Sequence, residues 1–152
     1  MDITQIIRHV DWKTDNNRII AEKLISDAAE YMRRVEAHIY KGNEIRSDMF
    51  MDHAEKQDEL SRLDRKRTEA HNRMLTSFSL FLDLLRDVPG FRESDFNLSN
   101  RTQIADFVAL IAFEIMGIEP SSRKEGEIRD ELAEKIHRQE ITFEQIRSAF
   151  FD

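Results

Sequence analysis

The chain has 152 residues, and among them are only four glycines, two prolines and no cysteine. Without cysteine it has no disulfide, thiolate zinc site or cysteine nucleophile. The formal net charge of −7 repels phosphate and so argues against general binding to nucleic acid.

The N-terminal third predicts two helices. Ile3, Ile6, Ile7 and Val10 recur at helical spacing, which indicates a short amphipathic helix within residues 1–12. Apolar residues at the same spacing continue over residues 15–41 and predict a second helix. Because glycine adopts the left-handed conformation that closes helices, we expect this helix to end at residue 41, just before Gly42.

A third helix is predicted for residues 44–87, which contain neither glycine nor proline. At 1.5 Å per residue it would be about 65 Å long. Its middle, residues 52–73, holds six acidic and six basic side chains, a balance typical of a solvated helix face. Both of its ends are apolar and expected to be buried. The first end comprises Ile45, Met49, Phe50 and Met51.

The C-terminal third predicts further helices. The helix expected at residues 101–116 is apolar around nearly its whole circumference, which places it at the centre of the core. Three capping patterns mark helix starts: Asn100 with Gln103, Ser122 with Glu125, and Thr142 with Gln145. The aromatic side chains of the last helix are expected to close the core: Phe143, Phe150 and Phe151.

Together these segments predict an all-α helical bundle of five or six helices with a long central helical hairpin. We expect one helical domain over residues 1–152. It comprises an N-terminal docking helix (residues 1–12), a hairpin (residues 15–88, with 15–41 against 44–87) and C-terminal helices (residues 100–152). No apolar run approaches the roughly 20 residues that cross a bilayer, and residues 1–4 lack signal-peptide character. The prediction is therefore a cytoplasmic protein without membrane contact.

One strip along the third helix, which includes Leu60, Leu63, Arg67 and Ala70, is too polar for an ordinary core and yet apolar enough to pack against another helix. The preceding helix, a second copy or another protein could cover it. The leading hypothesis is a non-enzymatic interaction or structural module, a homodimer formed through the hairpin, without cofactor or metal. The expected interaction surface consists of Leu60, Leu63, Asp64, Arg67, Ala70 and His71.

An enzymatic alternative rests on two acidic pairs, Asp27 with Glu30 and Glu55 with Asp58. Their arrangement on consecutive helices resembles that of all-helical nucleotide pyrophosphohydrolases. This resemblance implies Mg²⁺ held between the pairs. The first pair departs from the usual Glu-x-x-Glu, and the apolar face of its helix points elsewhere. The leading hypothesis therefore assigns no metal to these residues.

A second alternative is a nucleic-acid-associated regulator that uses the basic residues from Arg62 to Arg73. Acidic residues interrupt this stretch, and no aromatic residue within residues 52–73 could stack on a base, so we do not expect nucleic acid as the partner. Within it, the sequence LDRKRTEAHN at residues 63–72 resembles an uncharacterised bacterial family of small helical proteins. That resemblance implies a bacterial origin and no known activity.

Overall fold

The structure, a computed structural model, describes residues 2–151, without the side chains of Phe150 and Phe151. Within that range it contains six α-helices and no strand, which confirms the predicted all-α bundle with a long hairpin. The hypothesis that Phe150 and Phe151 close the core lies outside the described side chains. The helices are α1 (Ile3–His9), α2 (Asp15–Ser47), α3 (His53–Arg86), α4 (Arg101–Met116), α5 (Glu127–His137) and α6 (Phe143–Phe151), with a 3₁₀ turn at Glu93–Asp95.

The hairpin turns later than the sequence predicted. Helix α2 runs through Gly42 to Ser47, so the predicted helix end at residue 41 and the predicted start of the next helix at residue 44 are wrong. Two aspartates make the turn without glycine or proline. Asp48 Oδ1 accepts a hydrogen bond from the Phe50 amide at 2.8 Å. Asp52 caps α3 by accepting from the Glu55 amide at 2.8 Å.

Gly42 is buried inside α2 because the two helices approach closely there. A β-carbon at this position would lie 3.7 Å from Leu60 Cδ2 of α3. This is an ordinary van der Waals distance, so residue 42 lies within the interface between the two helices and does not need to be glycine for that contact. A left-handed turn is not formed, since the glycines with positive φ in the described chain are Gly90, Gly117 and Gly126.

Helices α2 and α3 pack antiparallel in a constant register. Each step toward the turn along α2 is matched by an equal step back along α3. The contacts that show this are the hydrogen bond from Ser77 to Asp27, the Tyr31–His71 ring contact, the approach of His38 to Asp64, the Gly42–Leu60 contact and the bond from Lys56 to the Arg46 carbonyl.

The core lies at the open end of the hairpin, around α4. Phe113 of α4 and Phe81 of α3 are completely buried, and Phe107 makes an edge contact with Phe78, with ring centroids 5.6 Å apart. Seven apolar side chains of α4 are buried, which confirms the expected central helix: Ala105, Phe107, Val108, Ala109, Ile111, Ala112 and Phe113. Gly117 ends α4 in the left-handed conformation, as predicted.

Helix α5 is capped from a distance and not by its own sequence. The predicted pair Ser122 and Glu125 does not start it, because the helix begins at Glu127. Asp106 of α4, which is buried, accepts hydrogen bonds from the amides of Gly126 at 2.5 Å and Arg129 at 2.9 Å. A core carboxylate therefore satisfies two of the amides that every helix start leaves unpaired.

The other two predicted capping pairs are formed. The backbone amide of Gln103 donates a hydrogen bond to Asn100 Oδ1 at 2.9 Å. At the start of α6, Thr142 and Gln145 exchange two bonds, from the Thr142 amide to Gln145 Oε1 at 2.9 Å and from the Gln145 amide to Thr142 Oγ1 at 3.2 Å. These caps fix where α4 and α6 begin and thus how they meet the hairpin.

Helix α5 also bonds to the middle of α2. His137 pairs with Glu36 and stacks on Tyr40, with ring centroids 4.0 Å apart. From α2 residue 43 to α3 residue 69 no side chain is buried. The closed end of the hairpin therefore extends beyond the core. No helix among the described residues combines the length and apolar character needed to span a bilayer.

Candidate interaction surface

The strip that raised the question of a partner is largely covered by α2. Leu60 and Leu63 are half-buried, and Leu60 lies against Gly42. Ala70 is 2% exposed, in the core between the two helices. Of the preceding helix, a second copy and another protein, the preceding helix α2 is therefore the one that covers most of this strip. Only the edges of the strip stay accessible.

Asp64, Arg67 and His71 do not form one cluster. Asp64 is exposed and pairs with Arg67, which is half-buried, at 2.5 Å. The imidazole near them belongs to His38, whose Nε2 lies 3.9 Å from Asp64 Oδ1. Burial and the positive charge of Arg67 lower the pKa of His38, against the opposite effect of Asp64. His71 lies one turn away, inside the protein.

His71 is buried at the level where the hairpin meets the core. It is 3% exposed and makes an edge contact with Tyr31, with ring centroids 5.1 Å apart. Neither ring nitrogen has a hydrogen-bond partner among the described residues. Burial lowers the pKa of His71, and the positive charges of Arg101 and Arg67 lower it further, against the opposite effect of the neighbouring Asn72 side chain. The imidazole is therefore held neutral, and it is not part of an accessible surface.

The four carboxylates of the enzymatic alternative lie at two separate levels of the hairpin. Asp27 bonds to Ser77 and Lys23, near the core. Glu55 is exposed close to the turn. In the register of the hairpin Glu55 lies level with the end of α2, so about 20 residues, or about 30 Å, separate it from Asp27.

The ion-pair partners of these carboxylates also separate the two acidic pairs. Glu30 is paired with Arg33 and Arg34, each at 2.8 Å, whereas Glu55 and Asp58 make no ion pair within residues 2–151. Among the described residues no group of three or more histidines and carboxylates is placed to hold a metal ion. The two acidic pairs thus do not form one site.

A groove with a volume of about 600 Å³ runs between α2 and α6. Apolar side chains of Ile19 and Phe143 line it. Its cationic side chains are already paired with carboxylates of the same chain: Arg147 with Glu22, Arg33 with Glu30, and Lys23 with Asp27. Glu144, which also lines the groove, is exposed and makes no ion pair in the described chain. No unpaired cation therefore marks this groove as a site for an anionic ligand.

The feature that sequence reasoning missed is the hairpin tip, which we define as residues 48–52. Met49 is 90% and Phe50 is 100% exposed, so the expectation that these apolar residues are buried is wrong. Turn positions usually carry Gly, Asn, Asp, Ser or Pro. Large apolar side chains at this turn are not buried, so they do not stabilise the folded chain. Asp52 followed three residues later by Glu55 is a helix-start signal that could have located the turn.

Exposed apolar side chains occur in the tip and in the last part of α2 that leads to it. Six large ones are exposed in the described chain, and four of them lie within residues 39–50. Along α2, Ile39 is 46% and Tyr40 is 39% exposed, and Ile45 and Met51 are half-buried. Clustered apolar surface on a small protein marks a contact site far more often than scattered apolar residues do.

Charge is sorted along the hairpin. We call residues 42–61 the distal segment; it carries six acidic and two basic side chains. The proximal segments, residues 30–41 and 62–73, together carry eight basic and four acidic side chains. Residues 52–73 are balanced in total, but four of their six acidic side chains precede residue 60 and five of their six basic ones follow it. The hairpin is therefore negative near its tip and positive near the core.

Comparison of the chain with protein-family models, with curated proteins and with solved structures gives no match. The resemblance of residues 63–72 to a bacterial helical family gains no support from it. Function must therefore be argued from the surface itself.

Proposed function

We propose that this protein is a non-enzymatic interaction module that self-associates through its long hairpin, with the tip supplying apolar contact. The observation that carries the proposal is the exposure of Met49 and Phe50, 90% and 100%, in a turn fixed by Asp48 and Asp52. Because the turn is preorganised by these hydrogen bonds, its apolar side chains are presented to a partner at little further cost in conformational entropy.

The magnitudes favour weak association. Burying a Met or Phe side chain stabilises by about 1.5–3 kcal/mol. In a two-fold pair four such side chains would contribute about 6–12 kcal/mol. The loss of translational and rotational freedom costs about 4–15 kcal/mol. The apolar tips alone therefore roughly balance this cost, and further contacts along the hairpin decide the affinity.

Sedimentation equilibrium over about two decades of concentration around the micromolar range tests the proposal. We expect the mean mass of the wild-type chain to rise toward that of two chains. The double variant Met49→Ser/Phe50→Ser should stay monomeric at concentrations where the wild type pairs. As a matched control, Ile19→Ser/Leu80→Ser removes two other exposed apolar side chains (59% and 45% exposed) and should pair as the wild type does.

A wild-type chain that remains monomeric throughout would contradict self-association. Its tip would then belong to a different protein partner. Equal weakening by the tip variant and the control would contradict the role of the tip and indicate general stickiness of the surface.

A further inference from the structure

We infer that the partner of the hairpin is a second copy of the same chain in the antiparallel orientation, with each negative distal segment lying along the positive proximal segments of the other copy. This inference rests on the proposed self-association and specifies its geometry. Charge complementarity of the hairpin with itself is the observation that supports it.

The sorting of charge is sharpest on the outer face of α3. Glu55, Asp58, Arg62 and Arg65 follow one another at spacings of three, four and three residues, which places them on one face of the helix. All four are exposed. This row therefore reads acidic toward the tip and basic toward the core.

Most of the row is free to pair with another chain. Glu55, Asp58 and Arg65 make no ion pair within residues 2–151. Arg62 reaches Glu59 at 3.6 Å, with 63% of its side chain exposed, so that pair is open to exchange. The positive end is reinforced by three more exposed cations of the proximal segments that make no ion pair in the described chain: Lys41, Lys66 and Arg73.

Only one orientation of two such rows is favourable. In a parallel pair, acidic residues would face acidic ones and basic residues basic ones. A two-fold axis midway between Asp58 and Arg62 instead places Asp58 opposite the partner's Arg62 and Glu55 opposite the partner's Arg65. The contact is isologous, so each pair occurs twice. Like-charge contact disfavours the wrong register, which gives the orientation its specificity.

The same axis determines where the tips lie. The tip begins about eight residues, or about 12 Å, beyond the axis. It therefore lies alongside residues 68–72 of the second copy, within the proximal segment of α3. The body of each copy, formed by α1 and α4–α6, lies on the core side of the axis, with α5 reaching along α2 as far as Tyr40.

Charge reversal tests the inference. Glu55→Lys/Asp58→Lys makes the whole row basic, and Arg62→Glu/Arg65→Glu makes it acidic. Alone, each variant should dimerise about 10-fold more weakly than wild type or worse, because both rows then repel. Mixed in equal amounts, the two variants should form a mixed dimer at least as readily as wild type, with one chain of each kind by native mass spectrometry.

The controls separate local pairing from total charge. Glu119→Lys/Glu140→Lys changes the net charge by the same amount on exposed loops outside the hairpin and should leave dimerisation unchanged. The variant Glu55→Lys/Asp58→Lys brings the net charge of −7 closer to zero, so general repulsion decreases and only local repulsion can weaken its dimer. Far-UV circular dichroism checks that α3 stays helical in each variant.

The outcomes also separate this inference from the proposed function. A monomeric wild type would overturn both. A wild-type dimer whose affinity is unaffected by the reversals, or a mixture without mixed dimers, would overturn only the antiparallel arrangement.

Discussion

Replacing Gly42 by alanine distinguishes the observed hairpin from the one expected from the sequence, because the two predict opposite signs. If Gly42 closed a helix in the left-handed conformation, alanine would cost about 1–2 kcal/mol. Inside α2, alanine instead gains about 0.8–1.0 kcal/mol of helix propensity. The new β-carbon would lie 3.7 Å from Leu60, an ordinary contact, and 3.1 Å from the guanidinium of Arg46.

That close approach is to the end of a flexible, exposed side chain, which can shift by a few tenths of an ångström. Its bond to Asn43, at 3.4 Å on the surface, contributes little. We therefore expect Gly42→Ala to raise the free energy of unfolding by about 0.5–1 kcal/mol. In urea the transition midpoint should rise with an unchanged slope.

Gly117→Ala is the matched control. Gly117 has a φ of 70°, and a β-carbon there would meet nothing within 4 Å, so only backbone strain acts and stability should fall by about 1–2 kcal/mol. Equal destabilisation by the two alanines would refute the placement of Gly42 within a continuous helix α2.

Two further predictions concern the core. Asp106→Asn keeps one acceptor oxygen but turns its NH2 donor toward one of the two backbone amides, of Gly126 and Arg129, that the carboxylate caps. This variant should lower the free energy of unfolding by about 2–4 kcal/mol. The control Glu127→Gln, on the exposed side of the same helix start, should lower it by only a few tenths of a kcal/mol. Equal midpoints in urea would exclude the cap. His71 has a lowered folded-state pKa, so the unfolded chain binds its proton first. Stability contributed by neutral His71 is complete above about pH 6.5 and falls as the pH drops below that value. His71→Phe should flatten this acid limb of a urea-midpoint series, and an unchanged slope would contradict the burial of a neutral imidazole.

Helix periodicity predicted the elements whose apolar faces meet the core. Helix α4 and its limits followed from its apolar circumference, from Asn100 and from Gly117. These signals are local: a capping side chain lies within three residues of the amide it accepts from. The same reasoning failed at α5, because its cap, Asp106, comes from another helix and is 20 residues away.

The candidate surface was less predictable. Glycine is typical of helix ends, but Gly42 lies inside α2, and its position opposite Leu60 depends on the register of the two helices. The sequence predicts burial of Met49 and Phe50 because burial is the usual state of such residues. Sequence alone does not show where a hairpin turns when aspartates make the turn. The sorted charges were present in the sequence all along, but their meaning depends on the fold-back at residues 48–52.

The central claim, that two copies pair through their hairpins, is tested most directly by distances between spin labels across the dimer. The chain has no cysteine, so Ser61→Cys and Ser79→Cys, both exposed on α3, each give a single labelling site. The antiparallel pair predicts labels within about 25 Å of each other at residue 61, beside the axis. At residue 79, about 28 Å from the axis in each copy, it predicts about 55 Å or more. Short distances at both sites would indicate a parallel hairpin pair. A long distance at residue 61, or no distance between chains at any concentration, would contradict pairing through the hairpin.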